Sequence, residues 1–104
     1  MANMCDIATV WVFNGARSNF PSAVFSKRGL AEQWIAKHLL TGTLTRYPLD
    51  VSSYDWAISR GFFEVSKSEH REGSFIQKFS SASQEHYHYE EGIRQGGEDE
   101  TAQG

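Results

Sequence analysis

The chain has 104 residues, with 10 basic and 13 acidic side chains, a net charge of −3, and apolar and aromatic shares of 39% and 13%. That length is one domain, large enough for a single core without staples, and its near-neutral body offers no basic field for nucleic acid. No apolar run approaches the ~20 residues of a membrane span, MANMCDIATV does not read as a signal peptide, and a lone Cys5 excludes an internal disulfide; a cytoplasmic protein is expected.

In chain order, residues 7–13 (IATVWVF) predict a strand. Val10 and Val12 share one face, and Trp11 and Phe13 share the other. Apolar side chains on both faces predict a central strand covered on both sides. Asn14-Gly15 is a turn signal. A polar loop follows, in which Pro21 holds Phe20 extended, and residues 22–25 form a short strand pairing back on the first. Ser26 is the expected N-cap of the main helix. Its Leu30, Ala31, Trp34, Ile35, His38 and Leu39 recur at threes and fours. Lys37 and His38 suit the helix dipole, and Gly42 is the expected stop.

Residues 43–49 (TLTRYPL) alternate as a strand, which Pro48 marks as an edge or an end. A second, short helix is closely specified. Ser52 caps it, Asp55 completes a capping box, and Val51 staples against Trp56. Tyr54, Ala57 and Ile58 form its buried face, and Gly61 ends it. Residues 62–65 and 75–79 are expected to be an antiparallel pair around a polar loop. Residues 80–91 are polar, ending in the alternation His86, Tyr87, His88, Tyr89. From Gly92 the chain holds Arg94, Glu98, Asp99 and Glu100 with almost nothing apolar, which predicts an unstructured acidic tail.

The expectation is a single α+β domain over 1–91 and a tail over 92–104. A small single-layer sheet of four to five mostly antiparallel strands is packed by one long and one short helix, in the order β-β-α-β-α-β-β. The expected core is Trp11, Phe13, Phe25, Leu30, Trp34, Ile35, Leu44, Ile58, Phe63 and Phe79.

Four segments, VWVFNGARSNFPSAVFS (10–26), AEQWIAKHLLTGTLT (31–45), YPLDVSSYDWAI (47–58) and SASQEHYHYEEG (81–92), together resemble a family of small bacterial stand-alone domains of unknown function. The resemblance spans about residues 8–92. It implies a small α+β fold, bacterial origin and no assigned catalytic residue. It also brings a loose association with immunity proteins of toxin systems.

Candidate sites are few. His86 and His88 fall on one face of an extended segment about 6.5–7 Å apart, with Glu90 on the same face as a third metal ligand. The competing reading is an amphipathic edge strand, aromatic inward and His outward. Arg17, Ser18 and Asn19 cluster donors in the first loop, without the glycine spacing of a phosphate loop. Tyr47, Tyr54, Asp55 and Trp56 gather aromatics around an acid whose capping role already accounts for it. No Gly-x-Ser-x-Gly elbow accompanies the serines. The leading reading is a non-catalytic domain that binds a protein, a toxin being one such partner, through Arg17, Asn19, Arg46, Tyr54, Trp56 and Arg60. The alternative is a metal or small-ligand domain built on His86, His88 and Glu90. No cofactor, nucleic acid or membrane is expected.

Overall fold

The computed structural model describes residues 8–96, which form an α+β fold of two compact units. Cys5 and the acidic residues Glu98, Asp99 and Glu100 lie outside the described residues. No helix among the described residues is long and apolar enough to cross a membrane.

Among the described residues, the sheet unit comprises 9–47 and 85–96. Its strands are β1 (Thr9–Gly15), β2 (Ala23–Phe25), β3 (Gly42–Pro48), β4 (His86–Glu90) and β5 (Ile93–Gln95), in the antiparallel order β2-β1-β3-β4-β5. The pairing sets Trp11 opposite Phe25, Leu44 opposite Tyr87 and Tyr89 opposite Arg94. Helix α1 (Arg28–Lys37) covers one face. Ala31 and Ile35 pack there with Trp11, Phe13, Leu44 and Tyr89, and Phe25, Trp34, Leu40 and Tyr87 pack around them. The strand period decides this face: alternate residues of β1, β3 and β4 turn inward. Trp34 meets Phe13 edge-on at 5.5 Å, an arrangement aromatic pairs favour.

Several expectations are corrected here. Helix α1 is capped at Lys27 rather than Ser26, with no side-chain bond. It ends at Lys37, and Leu39 takes the left-handed turn (φ 53) that Gly42 was expected to supply. Gly42 instead opens β3, because only a residue without Cβ fits there. A Cβ would stand 2.4 Å from Asn14 O and 2.8 Å from Gly15 Cα. Leu30 is exposed, since only the Ala31–Ile35 line of α1 points straight at the sheet. The second face of β1 has no helix over it within this unit, and Val24, paired with Val12, is exposed.

The chain beyond Glu91 is also structured further than expected, because Ile93–Gln95 form β5. A two-residue turn makes this possible: Glu91 and Gly92 both have positive φ (52 and 83), matching the twist of the strands they join. The turn is anchored where Gly92 N–H donates to Leu40 O at 2.8 Å and Glu91 N–H to Thr41 Oγ1 at 3.0 Å. The sheet's edges are protected. β2 and β5 are three residues each, and Arg94 turns inward from β5.

The helical unit comprises residues 48–84 with Ala8. It holds α2 (Ser53–Ser59), a 3-10 turn (Ser68–Arg71) and α3 (Gly73–Ile76). Ser52 caps α2 as expected, its Oγ accepting the Asp55 N–H at 2.9 Å, while the Asp55 carboxylate accepts from the Ser52 hydroxyl in place of the backbone N–H of a capping box. Ala57 is fully buried, whereas Ile58 is exposed. The expected strand pair at 62–65 and 75–79 is absent. Residues 63–66 are irregular, and 73–76 are α3. The apolar side chains there gather instead around Tyr54, with Phe63, Phe75 and Phe79 at 6.0, 6.4 and 5.6 Å from its ring. His70 closes the cluster at 4.8 Å from Phe75 and 5.1 Å from Phe63. The Tyr54 hydroxyl donates to His70 O at 2.8 Å. A short chain segment thus half-buries these rings through turns, needing no ladder.

Candidate functional site

Strand β4 carries a polar network on its inward side. Glu85 accepts from Arg46 at 3.0 Å and from the Tyr87 hydroxyl at 2.5 Å, and Arg28 lies 3.7 Å away. Arg46 also donates to Thr9 Oγ1 and covers the Trp11 ring. The guanidiniums of Arg28 and Arg94 lie 4.7 and 5.0 Å from the Tyr87 ring centroid. The bond from Tyr87, then those from Arg46, hold the Glu85 carboxyl below the usual carboxylate range against the opposing effect of burial. Burial and the same bond push the Tyr87 phenol up. Tyr89 is pushed up furthest, by burial first and then by the bond it donates to Glu32 at 2.6 Å. These interactions tie α1 to the sheet, so Arg46 belongs to a structural network.

On the outer side of β4, His86, His88 and Glu90 are exposed while Tyr87 and Tyr89 turn inward. The alternation is the one expected, but β4 lies between β3 and β5 rather than at an edge. The His86 and His88 rings meet edge-on at 5.5 Å, and His88 Nδ1 lies 3.3 Å from Thr43 Oγ1. Among the described residues no group of three or more His, Cys, Asp or Glu side chains is placed to hold a metal ion.

The first loop stands beside this outer face. Asn14 Nδ2 donates to Ser18 O, Ser18 N–H to Gly15 O, and Ser18 Oγ to Phe20 O. These bonds brace the loop around Arg17, which is exposed at φ 67. Arg17 and Asn14 line an open depression of about 620 Å3, together with Thr43, His88, Glu90 and Gln95. Arg17 and Ser18 of the loop and His88 and Glu90 of β4, singled out separately in the sequence, therefore line one depression, which His86 does not reach. Asn19 is exposed on the loop and is not among the lining residues.

In the helical unit, Tyr54 is half-buried in the aromatic cluster, its hydroxyl bonded to His70 O. Trp56 and Arg60 are placed differently. The Trp56 ring lies 5.4 Å from Phe62, and Arg60 lies over Trp56 at 5.9 Å. Phe62 is 52% exposed, and Leu49, Val51 and Ile58 of the same unit are exposed as well. An open groove of about 600 Å3 is lined by Phe62, Phe63, Phe75, Lys78 and Phe79. Asp55 is spent on its cap, accepting from Ser52 Oγ at 2.9 Å.

Sequence reasoning missed Phe62 and Gln95. The doubled aromatic after Gly61 was a usable signal, because neighbouring rings in a short segment face opposite ways. Gln95 lay in a stretch too polar to suggest a strand.

No curated protein and no solved structure matches the chain. A family model described as a domain of unknown function, DUF7710, matches residues 10–95, and the chain belongs to that family.

Proposed function

We propose that the protein is a non-catalytic protein-binding domain whose contact surface centres on Trp56, Phe62 and Arg60. The observation that carries this reading is Phe62: a phenylalanine 52% exposed, held against Trp56 on a helix whose start is firmly capped. Leaving such a ring in water forgoes roughly 1 kcal/mol or more of burial, and Trp with Arg at its side is the usual composition of an interface anchor. The groove along Phe62 and Phe79 extends the apolar surface, and Lys78 adds a second cation to Arg60. This favours a partner with an acidic, aromatic-accepting surface. One concrete form of the function is immunity in a bacterial cytoplasm, in which the domain neutralises a toxin by covering its active surface.

The supporting experiment compares capture by the tagged wild type and by Arg60→Glu and Phe62→Ser variants from the native lysate. A single stoichiometric protein retained by the wild type and lost by both folded variants supports the reading. No retained partner, or equal retention by all three, overturns it.

A further inference from the structure

We propose that the depression beside the first loop binds a small zwitterion, a free amino acid or dipeptide, with its carboxylate on Arg17 and its ammonium on Glu90. This is independent of the protein-binding surface, which belongs to the other unit.

The argument begins with register. Ala16 N–H donates to Thr41 O just beyond the strand ends, and Gly42 lies against Gly15, which sets Asn14 of β1 opposite Thr43 of β3. Thr43 is opposite His88, and His88 is opposite Gln95. One polar side chain from each of four adjacent strands thus stands at the same level on the outer face of the sheet. A solvent-facing sheet surface is ordinarily polar; here an amide, a hydroxyl, an imidazole and a second amide stand in one row at one end. Val24 and Val12 show that the same face accepts apolar residues elsewhere. A straight row of neutral donors and acceptors on rigid strands is the arrangement that orients a small polar ligand.

The end of the sheet beyond the row supplies opposite charges. Arg17 takes a left-handed conformation that asparagine or glycine would adopt more cheaply, and it lines the depression. One step beyond His88, at the same end of the sheet as the loop, is Glu90, exposed, with no ion pair to any described residue. One guanidinium and one carboxylate beside a polar row match a ligand that carries both charges and is neutral overall. A pure anion would face Glu90, and a pure cation would face Arg17. A volume of about 620 Å3 lies within the range of small-ligand sites.

The test uses the full chain and titrates free amino acids one at a time, then glycylglycine, following backbone amide shifts by NMR. Saturable shifts confined to residues 14–18, 41–43 and 88–95 are expected with at least one of these probes. Arg17→Ala should weaken that probe about tenfold, as should amidation of its carboxylate, and Glu90→Gln or acetylation of its amine should do the same. Both side chains are exposed, so both variants are expected to keep the wild-type fold by circular dichroism. No saturable shift with any probe, or shifts unchanged by both substitutions, would overturn the proposal. Binding that tolerates a capped amine but not a capped carboxylate would also overturn it, by reducing the site to an anion site.

Discussion

Arg46 and Glu85, 39 residues apart in sequence, meet at 3.0 Å and join the end of β3 to the start of β4. Because Tyr87 and Arg28 converge on the same carboxylate, Glu85 is the junction of three contacts. Glu85→Gln removes the charge and keeps the shape. Both members of the pair are more than a third exposed, so screening limits the expected loss to about 1 kcal/mol at neutral pH. The folded carboxyl titrates below its ordinary value of 4.5. Its contribution is therefore present above that value and is lost as pH falls through the lower folded value. Urea midpoints measured from neutral to acid pH should fall less steeply in the variant than in the wild type.

Tyr89 makes the opposite prediction at the alkaline end. Its phenol is held protonated by burial and by Glu32. The stability it contributes is complete below its unfolded value of 10 and is lost as pH rises toward the higher folded value. Phenolate absorbance should show one tyrosine ionising well after the others and together with unfolding. Tyr89→Phe should abolish that late step and cost about 1 kcal/mol at neutral pH through the lost bond to Glu32.

Two glycines should respond with opposite sign to the same substitution. Gly42→Ala drives a methyl group into the backbone of β1, with an expected loss of about 3 kcal/mol or more. Gly29→Ala, in the first turn of α1 with nothing within 4 Å of the added atom, should gain about 0.5–1 kcal/mol. Thermal melts of the two variants against the wild type check both.

The helical unit rests on ring contacts more than on regular structure. Phe63 meets Tyr54, His70, Phe75 and Phe79, so Phe63→Ala should cost about 3 kcal/mol. Amide exchange should rise across 52–84 in this variant by more than it rises in the sheet unit.

Much of this was legible in the residues. The start of α2 follows from Ser52 and Asp55 because a cap is a local bond between neighbours. The inward turn of Tyr87 and Tyr89 follows from strand period alone. What failed depended on distant partners. The 62–65 and 75–79 segments have the composition of strands, but Phe63, Phe75 and Phe79 gather around Tyr54 without pairing. β5 was hidden because Arg94 and Gln95 are polar, and only the Glu91-Gly92 turn, docked on Leu40 and Thr41, brings them to the sheet. The row from Asn14 to Gln95 needs the order of four strands, which no local pattern contains.

The most direct test of the account is the affinity of the captured partner for the wild type and for Phe62→Ser, measured by calorimetry with both proteins folded. The account predicts that removing this exposed ring weakens binding by about 2 kcal/mol, some thirtyfold. Equal affinity for the two proteins would contradict the placement of the contact surface at Trp56, Phe62 and Arg60.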